Sequence, residues 1–139
     1  MLIAKNELKK YAELAVQAGV NVQKGQLLVI NAPILAKELV YEIAEAAFKK
    51  GARNVHVEWN DDAFAKVKYT HAPDEAFTEY PLWKAKGYEE MAEDGAAVMS
   101  ILAPNPELLK DVDPARVAAA QKTAGEAMAK FRKYIQSDK

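Results

Sequence analysis

Cysteine is absent from the 139 residues, which removes disulfides, thiolate catalysis and cysteine-ligated zinc or iron–sulfur sites together. Charge of one sign is also lacking. The net charge is -1 with both signs mixed among the 28% charged residues, so there is no electrostatic footprint for a nucleic-acid backbone or an anionic membrane. No apolar stretch approaches the roughly 20 residues that a membrane-spanning helix requires. The N-terminus, MLIAKNELKKYAEL, is charged from its fifth residue and has no secretory apolar core or cleavage site. These absences predict a cytoplasmic protein without nucleic-acid or membrane partners.

What is present is a chain with 50% hydrophobic residues, the size of one domain over residues 1–139, able to bury roughly two thirds of its unfolded surface. Its organising stretch runs from Gln26 to Glu58. Leu27-Leu28-Val29-Ile30 is an apolar run of strand length without polar alternation, as in a parallel sheet covered on both faces. A helix is predicted from about Leu35 to Lys50, with Leu39, Val40, Ile43 and Ala47 on one face and Gly51 as a left-handed cap. Asn54 to Glu58 then alternates valines with His56 and Glu58, the pattern of an edge or half-covered strand.

Around this strand–helix–strand unit, Asn6 to Ala18 has helical spacing at Leu8, Tyr11, Ala12, Ala15 and Ala18, ending at Gly19. A further helix follows Asp61-Asp62 to about Thr70, and Ala72-Pro73 breaks it. Short helices are expected around Phe77 to Met91, and a third buried strand over Ala96 to Leu102. Asn105-Pro106 and Asp113-Pro114 each pair a capping side chain with a proline suited to the first helical position. The second starts a helix expected to run unbroken to about Ile135, with Val117, Ala120, Ala124, Met128, Phe131 and Ile135 on one face. The order predicts an α/β layered helix/sheet/helix domain with a small, mostly parallel sheet of at least three strands. A long amphipathic helix after the third strand normally leads into another parallel strand, so the sequence reads as a fragment.

Ligands of parallel sheets bind beyond the C-terminal strand ends, which directs attention to Asn31-Ala32-Pro33 and to Trp59-Asn60-Asp61-Asp62. The first reads as a polar turn and a helix-start proline, without the glycines a pyrophosphate cradle needs. Glu58, Asp61 and Asp62 offer carboxylates for a hard cation, although Asp61 and Asp62 are more simply a helix cap and a first-turn acid. His56 and His71 share no metal-ligand spacing, and neither Ser100 nor Ser137 sits in a nucleophile motif. Trp59, Tyr80 and Trp83 fit a core more readily than an aromatic binding wall. The residues alone give an α/β domain without a complete catalytic constellation, open to two readings, a free-standing receiver- or flavodoxin-like module for a small ligand and a structural oligomerisation element using the small-residue face of the last helix.

Three stretches carry a more specific signal: YAELAVQAGVNVQKGQLLVINAP from Tyr11, GARNVHVEWNDD from Gly51, and HAPDEAFTEYPLWKAKGYEEMAEDGAAVMSILAPNPELLKDVDPARVAAAQKTAG from His71. Together they closely resemble the N-terminal domain of the aminopeptidase T and aminopeptidase S family of bacterial metallo-aminopeptidases. The resemblance implies a cytoplasmic, homodimeric parent that removes N-terminal amino acids from peptides with a pair of divalent metals (Zn, Co, Mn or Mg). It places the metal ligands in a C-terminal catalytic domain outside these residues. No catalytic or metal-binding residue is therefore expected here. Asn31, Trp59, Asp61 and Asp62 are the expected interdomain or substrate-facing surface.

Overall fold

The computed structural model describes residues 5–101 and 110–137, and the chain divides into two compact units. Unit 1 comprises residues 1–60 and 95–103; unit 2 comprises residues 61–94 and 104–139. The expected third-strand residue Leu102, the Asn105-Pro106 cap and the side chain of Ile135 lie outside what is described.

Unit 1 holds α1 (Lys5–Leu14), a π-helical turn (Ala15–Gly19), β1 (Leu27–Pro33), α2 (Lys37–Lys50), β2 (Asn54–Asn60) and β3 (Ala97–Ser100). The strands form one parallel sheet of order β2-β1-β3. In β1, Leu28, Val29 and Ile30 are all fully buried, and successive side chains point to opposite faces, so the central strand is enclosed on both sides as expected. One sheet face packs Leu28, Ile30 and Ala32, flanked by Val55, Val57, Ala97 and Met99, against Ala12, Val16, Val40, Ile43 and Ala47 of the helices. Gly51 closes α2 at φ +110°, a backbone conformation that disfavours side chains. A Cβ there would lie 3.3 Å from the Lys24 backbone Cα. Beside it, the Gly25 amide donates to Gly51 O at 2.7 Å and the Arg53 amide to Gln26 O at 2.8 Å, which sets the starts of β1 and β2 level.

Four expectations need correction. Asn31-Ala32-Pro33 is not a turn. These residues continue β1 in register with residues 58–60 of β2, and Pro33 is the strand's last residue. Over the expected first helix, Ala12 of α1 and Val16 of the π-helical turn are buried, whereas Tyr11 and Ala18 are exposed. Strand β3 is half-buried rather than enclosed. The C-terminal helix is broken into α5 (Pro114–Ala127) and α6 (Ala129–Ser137). Gly125 weakens the last turn of α5, and its carbonyl accepts from the Arg132 guanidinium at 2.7 Å.

Unit 2 contains α3 (Asp62–His71), a 3-10 turn (Asp74–Phe77), α4 (Leu82–Glu93), α5 and α6. Its best-buried side chain is Phe77, stacked on Tyr69 with ring centroids 5.5 Å apart and covered by the Arg116 guanidinium 5.2 Å from the ring centroid. Arg116 is fixed in turn by the Tyr69 carbonyl at 2.9 Å and Asp74 at 3.2 Å. Tyr88 meets Phe131 edge-on at 5.1 Å.

Candidate functional site

In an open parallel sheet, the crevice forms where the chain reverses its direction of strand addition. With order β2-β1-β3 that point lies between β1 and β3, at their C-terminal ends. Asn31 of β1 stands in register with Glu58 on one side and Ser100 on the other, so the three share a sheet face. The Asn31 amide donates to Ser100 Oγ at 3.4 Å, and His56 Nε2 lies 3.6 Å from Glu58 Oε1. This row, Glu58–Asn31–Ser100, runs on the face opposite the α1/α2 core. It offers a carboxylate, an amide and a hydroxyl capable of polar contacts, but no paired nucleophile and base. Ser100 carries no nucleophile motif that would mark it in the sequence. Its proximity to Asn31 comes from the strand order, which local periodicity does not encode.

The other expected site residues lie as follows. Trp59 belongs to unit 1, in β2, and is 40% exposed. Asp61 and Asp62 belong to unit 2, at the start of α3. Asp61 is the N-cap, accepting from the Ala63 amide at 3.0 Å, and Asp62 lies in the first turn, where the helix dipole favours a negative charge. Asp61→Ala is expected to lower stability by about 1 kcal/mol through loss of the cap, read as a shift of the urea midpoint. A larger magnesium-dependent shift in the wild type than in the variant would instead make Asp61 a cation ligand. In unit 2, Trp83 is exposed, contrary to a core role, and Tyr80 lines an open concavity of about 430 Å³ with Lys68, Ala76, Glu79 and Pro81.

Among the described residues no group of three or more histidines and acids converges on a common point. The His56–Glu58 pair alone supplies two donors. A dinuclear site needs bridging carboxylates and further histidines, so this donor set does not fit one.

The fold and site thus define a parallel α/β protein whose described residues include no metal-binding centre. Residues 4–139 match the family profile of the thermophilic metalloproteases (M29), and the chain belongs to that family. It is 56% identical over 133 residues to aminopeptidase 2 of Geobacillus stearothermophilus, covering 96% of this chain and 32% of that protein. It is 55% identical over 133 residues to aminopeptidase AmpS of Bacillus subtilis, with the same coverage of 96% and 32%. The solved structure of wild-type AmpT from Thermus thermophilus superposes with a TM-score of 0.89 at 32% identity, over 96% of this chain and 34% of that one. The chain therefore spans about a third of the length of its relatives. Among the described residues no helix is long and apolar enough to cross a membrane.

Proposed function

We propose that residues 1–139 form the N-terminal, non-catalytic domain of a cytoplasmic metallo-aminopeptidase that uses divalent metals to remove N-terminal amino acids from peptides. The observation that carries this reading is the match along residues 4–139 to a metalloprotease family whose curated relatives are aminopeptidases three times as long. In the parent, a C-terminal domain supplies the metals and their ligands. The parent is a homodimer, and this domain limits peptide entry to its site. Asn31 and Trp59 in unit 1, and Asp61 and Asp62 in unit 2, are the residues we assign to surfaces facing the rest of the enzyme or its substrate.

The 139-residue chain, assayed with aminoacyl chromogenic substrates and added cobalt, manganese, zinc or magnesium, is expected to give no metal-dependent turnover. Turnover above the metal-only blank would refute the non-catalytic assignment. The competing reading, a flavodoxin-like small-ligand module, draws on the β2-β1-β3 order and the Asn31–Ser100 contact. Saturable heat on titrating magnesium or a small ligand into the same chain would favour it.

A further inference from the structure

The two outer strands of the sheet are built differently. β2, with the sequence NVHVEWN, carries the polar side chains His56 and Glu58, and the Asn54 side chain accepts from the Val55 amide at 2.9 Å. An outer edge carrying charge and a side-chain-satisfied amide is protected against further pairing. β3, with the sequence AVMS, has no charge and no proline in the strand. The Ile101 amide donates to Asn31 O at 2.8 Å, so by alternation Ala97 and Met99 turn their main-chain groups toward β1 while those of Val98 and Ser100 point outward. Among the described residues no strand pairs with that outer side. Ala97, Val98 and Met99 stay half-buried, whereas the corresponding part of β1 is enclosed. An uncharged, half-covered edge is a template for pairing, and such edges in native proteins are normally blunted or occupied.

We propose that β3 accepts a fourth parallel strand, giving the order β2-β1-β3-β4, supplied by the part of an M29 chain outside the third that these residues match. The inference rests on the family reading for its occupant and on the edge chemistry for its position. The parallel direction follows from the sheet and from the helices after β3, since a parallel neighbour needs a crossover connection, usually helical. Val98 and Ser100 provide the outward donors and acceptors. Occupancy would also cover the apolar side chains of Val98 and Met99.

The test is a chimera in which this chain replaces the matched third of the Geobacillus relative, compared with the 139-residue chain alone. Amide exchange at Val98 and Ser100 is expected to slow by about 100-fold or more in the chimera, because paired central-strand amides open far less often than edge amides. Ser100→Pro removes an outward donor without touching a β1 bond, and Ser100→Lys leaves the backbone intact while placing a charge on the edge. Both variants lose the Asn31–Ser100 side-chain contact in either context, so both are expected to lower the unfolding midpoint of the chimera by clearly more than they lower that of the isolated chain, and equal shifts in the two would count against the added strand. Unprotected edge amides in a folded chimera, or a chimera that fails to fold although the isolated chain does, would overturn the proposal. An isolated chain that sediments as a dimer with these amides already protected would overturn it too, since the occupant is then a second copy. Aminopeptidase turnover separates the two readings. An active chimera with an unprotected edge removes the strand inference alone, whereas a protected but inactive chimera removes the enzymatic reading alone.

Discussion

Phe77→Ala is expected to cost about 3–5 kcal/mol, the range for truncating a buried aromatic, measured as the change in unfolding free energy by urea titration followed by circular dichroism. Phe77 is 2% exposed, and its ring is held between Tyr69 and Arg116. Removing it leaves a cavity and ends the stack, while Arg116 keeps its bonds to Tyr69 and Asp74, so collapse of the surroundings is resisted. Phe77→Leu retains most of the apolar volume and is expected to lose less than about half as much, its own loss reporting the ring interactions and the difference between the two variants reporting volume. Equal losses for the two variants would show that the ring contacts, and not volume, account for the whole effect. A loss below about 1 kcal/mol for Phe77→Ala would mean that this side chain is not the core of unit 2.

Ile30→Ala should be nearly as damaging, at about 2–5 kcal/mol, for a different reason. Ile30 is fully buried at the middle of the central strand, paired in register with Val57 on one side and Met99 on the other. Its side chain joins the sheet to Val40 and Ile43 of α2 within a single core. The backbone hydrogen bonds survive the substitution, so the loss isolates packing from pairing. Leu35→Ala is the matching control, since Leu35 is 91% exposed and its truncation should change stability by less than about 0.5 kcal/mol. If both variants fall together, the β1-centred core is misassigned.

The strand–helix–strand unit was legible in the sequence because each of its signals is local. An apolar run without alternation, a 3.6-residue stripe and a glycine stop need no tertiary context, and β1, α2 and β2 fall where these signals point. Asp61 and Asp113 were legible as caps for the same reason, each accepting from the amide two residues on. Misreadings occurred where a distant partner decides. Asn31 to Pro33 carry turn-forming residue types, yet pairing with β2 holds them in the strand. The break at Met128 is accompanied by Arg132 reaching back to the Gly125 carbonyl, a contact that a helical wheel does not show. Of the row at the strand ends, the place of Asn31 after an apolar run is visible in the sequence, whereas that of its neighbour Ser100 requires the order of strands.

The chain leaves unit 1 after Asn60 and re-enters it at Gly95, so the segment between is an insertion within the sheet's connectivity. This has a consequence for folding entropy. Leu27 and Asn54, which pair across β1 and β2, are 27 residues apart, while Leu28 and Ala97, across β1 and β3, are 69 apart. Because closure entropy grows only logarithmically with length, the longer connection costs about 0.8 kcal/mol more than the shorter if both behave as flexible loops. A segment of that size can therefore be lengthened or replaced at small thermodynamic expense to the sheet, and the larger effect falls on rate. The β1–β2 seam closes over the shorter connection and is expected to form first, with β3 adding later across the wider gap.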